Sequence, residues 1–154
     1  MKTSAAKFVR YWLPAIAWML LILFASTDLL SVERTSRFIA PLLRWLNPDI
    51  SGATIAAVQL LVRKAAHVTE YGILAALLWR ALAHASAKTS SRAPLIAFLA
   101  AVAYAVLDEF HQSFTTSRTG SPVDVIIDAT GALAGLALYW MMKIRKRVAA
   151  ASTS

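Results

Sequence analysis

Two stretches without a charged residue, 94–107 and 129–142, flank a polar segment at 108–128 that reads DEFHQSFTTSRTGSPVDVIID. Asp108, Glu109, Asp124 and Asp128 are thereby set directly against runs apolar enough for a lipid interior. A carboxylate at bilayer depth costs about 2.5 to 3.5 kcal/mol on insertion scales, so acids there need partners and mark a functional site. The segment reads as the mouth of a helical hairpin dipping into lipid, and the rest of the chain has to supply what neutralises it.

The composition fits a membrane protein. Of 154 residues, 58% are hydrophobic, against roughly 45 to 50% in ordinary soluble domains. At about 20 residues per span, four transmembrane helices and their connections nearly exhaust the chain, which leaves one domain. The expected division is an N-terminus over 1–10, a four-helix transmembrane domain over 11–142 and a basic tail over 143–154. The absence of cysteine removes disulfides, thiolate nucleophiles and Cys-bound zinc.

The first span covers 11–27, after Lys2, Lys7 and Arg10. A cleaved signal peptide starts in the same order, but Ala25-Ser26-Thr27 is a poor cleavage site and the apolar run is long for one. In the connection 28–53, Phe38, Leu42, Trp45 and Leu46 fall at i, i+4, i+7 and i+8. That spacing predicts a short amphipathic helix in the membrane interface, with Pro41 as a kink; an irregular loop is the competing reading. The second span, 54–83, has apolar ends too short to cross alone, so its polar middle, 63–71, lies at or within the bilayer. There Lys64, His67 and Tyr71 share one helical face, with Arg63 and Glu70 on its flanks. Pro94 opens the third span, which turns polar at Asp108, Glu109, His111 and Gln112. In the fourth, Asp124, Asp128, Gly131 and Gly135 recur at i, i+4, i+7 and i+11, so acids and a G-x-x-x-G pair line one stripe and bring a neighbouring helix close.

With four spans, both termini and the second connection share one membrane face. That face carries Lys2, Lys7, Arg10, Arg80, Lys88, Arg92, Lys143, Arg145, Lys146 and Arg147 and no acid. The positive-inside rule makes it cytoplasmic, so the tail is an orientation anchor and nucleic acid is not expected. Counting about 20 residues outward from Arg80, Pro94 and Lys143 puts the outer boundary near Leu61, Ser113 and Val123. The ionisable residues then lie in the outer half, and pairing is expected of Lys64 or Arg63 with Asp108 or Asp128, and of His67 with Glu70 or Glu109.

The pattern K-x-x-H-x-x-E-Y, then D-E-x-x-Q, then an Arg and D-x-x-x-[N/D]-x-x-G-x-x-x-G resembles the VanZ-like family of bacterial integral membrane proteins, named for a protein linked to low-level teicoplanin resistance. The resemblance covers about half the chain, 63–135, and matches Lys64, His67, Glu70, Tyr71, Asp108, Glu109, Gln112, Arg118, Asp124 and Gly131. Asp128 departs from it, since Asn is usual there. The resemblance implies a multi-pass protein of the bacterial plasma membrane tied to the cell envelope, and it brings no established reaction.

Several functions are open at this level. In the first, the outer-leaflet cluster binds or protects an envelope lipid or lipid-linked wall precursor. Lys64, His67 and Arg118 meet phosphate, and Tyr71, Gln112, Asp124 and Asp128 complete the site. In the second, the protein is an enzyme acting on such a headgroup, with His67 as acid/base, Glu70 or Glu109 orienting it and Asp108 as a second acid/base. A proton- or ion-coupled carrier and a purely structural ion-pair network are weaker, because the inner halves of the spans are apolar and apolar packing would lock helices more cheaply. H-x-x-E is a common helical spacing and not H-E-x-x-H, so neither a metal nor a cofactor is expected. The expected partners are the bilayer and its lipids, with a homo-oligomer left open.

Overall fold

The computed structural model describes residues 4–26, 32–85, 91–114 and 120–152, with the side chains of 4–5 and 32–36 excepted. Every regular element among them is helical: α1 (Ser4–Ala25), α2 (Val32–Leu46), α3 (Gly52–Ala85), α4 (Ala93–Gln112) and α5 (Pro122–Ala151).

The helix starts follow from local chemistry. Ser51 Oγ accepts from the Thr54 amide at 3.1 Å ahead of α3, and Ser121 Oγ accepts from the Val123 amide at 3.2 Å ahead of α5. Pro94 and Pro122 sit in the first turns of their helices, where a missing N–H costs nothing. The connection 28–53 contains a helix, and Pro41 lies inside it. Its Phe38, Leu42, Trp45 and Leu46 are all exposed.

Among the described residues, three helices are long and apolar enough to cross a membrane: Ala6–Ala25, Ala93–Gln112 and Pro122–Ala151. The 34 residues of α3 would extend about 51 Å at 1.5 Å per residue. Length is therefore not what sets α3 apart; charge at Arg63, Lys64 and Glu70 interrupts its apolar run.

Many large apolar side chains point outward, and a run of small ones points inward. Leu20, Leu95, Leu107, Leu133 and Trp140 are exposed, while Ala93, Ala97, Ala101 and Ala105 form a fully buried stripe along α4. That distribution suits a lipid solvent, in which helices gain by close backbone approach rather than by hiding leucines. Tyr71, Leu74, Ala75 and Leu78 of α3, with Ala132 and Leu136 of α5, complete the core beside the alanines.

The closest approach is between α3 and α5. A Cβ on Gly131 would stand 2.7 Å from Val68 Cα, one on Gly135 would overlap the Gly72 backbone, and one on Gly72 would lie 3.1 Å from the Gly131 carbonyl oxygen. The G-x-x-x-G pair thus receives α3 itself, with Gly72 as its counterpart. This contact sets the register that places the charges of α3 opposite those of α5.

Candidate functional site

Lys64, His67 and Tyr71 follow one another at spacings of three and four along α3, so each lies about a turn beyond the last on a single face. Each meets an acid from a neighbouring helix. Lys64 Nζ lies 3.0 Å from Asp124 Oδ1, His67 Nδ1 lies 3.2 Å from Asp128 Oδ1, and Tyr71 OH donates to Asp108 Oδ2 at 3.2 Å. The rungs are progressively buried: the Lys64 and Asp124 side chains are 34% and 21% exposed, His67 is 13% exposed, and Tyr71 is wholly covered.

Asp108 also accepts from Gln112 Nε2 at 3.0 Å, and Gln112 reaches the hydroxyl of buried Ser26 at 3.4 Å. Through these bonds the end of α1 joins α3 and α4. Two further ties hold α1: Trp18 Nε1 donates to the Glu70 carbonyl at 2.9 Å, and Tyr104 OH donates to the Met19 carbonyl at 2.6 Å.

Glu109 is fixed from the other side of the hairpin. Its Oε2 accepts from the Ser121 amide at 2.8 Å, so the residue that caps α5 also pins the last turn of α4. The neighbouring Gly120 lies so close that a Cβ there would overlap the Glu109 carbonyl. Only glycine fits where the chain folds back over the site.

One oxygen of each buried acid is left over. Asp108 Oδ1, Glu109 Oε1 and Asp128 Oδ2 are buried without a hydrogen-bond partner among the described residues. Glu109 and Asp128 are joined by His67, with one donor atom from each of the three within 4.8 Å of the others. An imidazole held on a carboxylate beside a second carboxylate can exchange a proton or hold a cation.

The structure thus brings together Lys64, His67, Tyr71, Asp108, Glu109, Gln112, Asp124 and Asp128. The pairs differ from those expected. Lys64 meets Asp124 rather than Asp108 or Asp128; His67 has the expected Glu109 within 4.8 Å but hydrogen-bonds Asp128, because the glycine contact sets the register of α5 against α3. Glu70 is half-buried beside this face. Arg118 lies outside the described residues. Ser26, Trp18, Tyr104 and the Ser121 amide were not anticipated as parts of the assembly; Tyr104 shares the Asp108 face by spacing, but nothing in the order of residues points to α1 as its acceptor.

An all-helical bundle with membrane-length apolar helices and a buried cluster of ionisable groups defines the class as an integral membrane protein with an internal polar site. A family model described as VanZ/LLP1 matches residues 11–143. The chain belongs to the VanZ-like family. No curated protein and no solved structure matches it.

Proposed function

We propose that the polar centre binds the phosphate-bearing headgroup of an envelope lipid or lipid-linked wall precursor and shields it. The observation that carries this reading is the Lys64–Asp124 pair at the rim, part-exposed above a buried interior. An incoming phosphate displaces Asp124 as the partner of Lys64, a charge-assisted exchange that costs no buried cation. Arg118, two residues before Gly120, is within the same hairpin mouth in sequence and serves as a second phosphate contact. Below the rim, His67 pairs with Asp128 and Glu109 accepts from the Ser121 amide, Glu70 flanks them, and Tyr71, Gln112, Asp108 and Asp128 form the floor.

In this reading α1, α3, α4 and α5 all cross the bacterial plasma membrane. The amphipathic α2 lies in the outer interface on its exposed Phe38, Leu42, Trp45 and Leu46. Both termini are cytoplasmic, as the ten basic residues and no acid on that face support, and the polar mouth opens outward.

A second reading, a membrane-embedded hydrolase or transferase, is favoured by one observation: His67 is hydrogen-bonded to Asp128 with Glu109 close by, a usable acid/base pair.

The test is the purified protein in detergent with phosphatidylglycerol or a polyprenyl pyrophosphate, followed by native mass spectrometry. Binding weakened in Lys64→Gln and Arg118→Ala supports the proposal, and equal binding in both sinks it. In cells, Arg118→Ala and Glu109→Gln at normal membrane abundance should alter the envelope phenotype, including glycopeptide sensitivity where the host permits. Turnover of the lipid, abolished in His67→Ala, moves the assignment to the enzyme.

A further inference from the structure

We propose that His67, Glu109 and Asp128 hold a divalent transition-metal cation. This goes beyond the headgroup reading and does not depend on it.

The site is built from three helices: an imidazole from α3, a carboxylate from the last turn of α4 and one from α5, with donor atoms mutually within 4.8 Å. Ligands at 2.0 to 2.2 Å from one ion are roughly 3 to 4 Å apart, so an inward movement of under about 1 Å by flexible side-chain ends closes the set.

The second observation is the burial and bonding of the two carboxylates. Glu109 and Asp128 are 5% and 0% exposed, and each has one oxygen committed to a protein donor and the other without a partner. Glu109 Oε2 is taken by the Ser121 amide, which leaves Oε1; Asp128 Oδ1 is taken by His67 Nδ1, which leaves Oδ2, and the imidazole ligates through Nε2 or gives up that bond to ligate through Nδ1. Two buried lone-pair donors remain beside one imidazole, an arrangement a cation satisfies.

Charge points the same way. Lys64 is engaged by Asp124, and Asp108 is held by the neutral donors Tyr71 and Gln112. Glu109 and Asp128 together carry two negative charges when ionised, and a dication balances them while leaving His67 neutral, the form in which it ligates. One nitrogen, two oxygens and no sulfur suit Zn²⁺ or Mn²⁺ better than the all-oxygen preferences of Ca²⁺ and Mg²⁺. Three protein ligands leave a coordination position for water or a phosphate oxygen.

The test uses the full chain purified in detergent, stripped with a chelator and titrated calorimetrically with Zn²⁺ and with Mn²⁺ in the absence of added lipid. One ion per chain is expected, bound at least about 10-fold more weakly in Glu109→Gln and Asp128→Asn. Binding in His111→Gln, an exposed histidine elsewhere on α4, should be unchanged. No stoichiometric ion in the wild type, or equal binding in Glu109→Gln and Asp128→Asn, overturns the site. If those variants do not fold, X-ray absorption on the loaded wild-type protein decides: a single imidazole with oxygen ligands supports the proposal, and two or more imidazoles refute it.

Discussion

The same face of α4 is used in two opposite ways. Over its first three turns it presents Ala93, Ala97, Ala101 and Ala105, all fully buried, in one cluster with Leu74, Ala75 and Leu78. Over its last turns the stripe continues as Asp108 and Gln112, equally buried, against Tyr71 and Ser26. One half of the bundle is held by backbone proximity and the other by paired polar groups. The contrast teaches that α3, α4 and α5 share a packing interface free of ionisable groups, made of small residues and the glycine contact, beside a second one made of paired polar groups. The proposed binding role accounts for acids in that half, where buried ion pairs rarely stabilise more than well-packed apolar residues would.

Substitutions can break that contrast in order of size. Gly135→Leu drives a side chain into the Gly72 backbone; a loss of more than about 3 kcal/mol is expected, because backbone must move. It reads out as loss of monodisperse protein on size-exclusion chromatography. Ala101→Leu overpacks the buried alanine stripe and should cost about 1 to 3 kcal/mol, visible as a lower thermal transition in detergent. Tyr71→Phe removes one of two donors to Asp108 and should cost about 1 to 2 kcal/mol by the same measurement. Lys64→Gln, at a part-exposed pair, should change stability by less than about 1 kcal/mol while weakening lipid binding. If Lys64→Gln instead destabilised as much as Gly135→Leu, the division into a packing half and a chemical half would be wrong.

Much of this was legible from the residues in order. Helical periodicity placed Lys64, His67 and Tyr71 on one face and Asp124, Asp128, Gly131 and Gly135 on one stripe, and both faces turn inward. Partner identity was not legible, because periodicity within a helix carries no information on how two helices slide past each other. That slide is decided by Gly72 seating against Gly131 and Gly135, and Gly72 reads as an ordinary residue of an apolar run. The part played by α1 was hidden for a related reason. Trp18 and Tyr104 bond to backbone carbonyls, which every residue possesses and none advertises. A metal set was likewise invisible, since His67, Glu109 and Asp128 come from three helices with no local spacing to join them.

The most direct test of a polar centre assembled between α3 and α5 is a double-mutant cycle on His67 and Asp128. The stabilities of wild type, His67→Gln, Asp128→Asn and the double variant would be compared in one detergent. The geometry predicts a coupling of at least about 1 kcal/mol between the two sites. Effects that add to within about 0.3 kcal/mol would mean that the two side chains do not meet, and the centre described here would not exist.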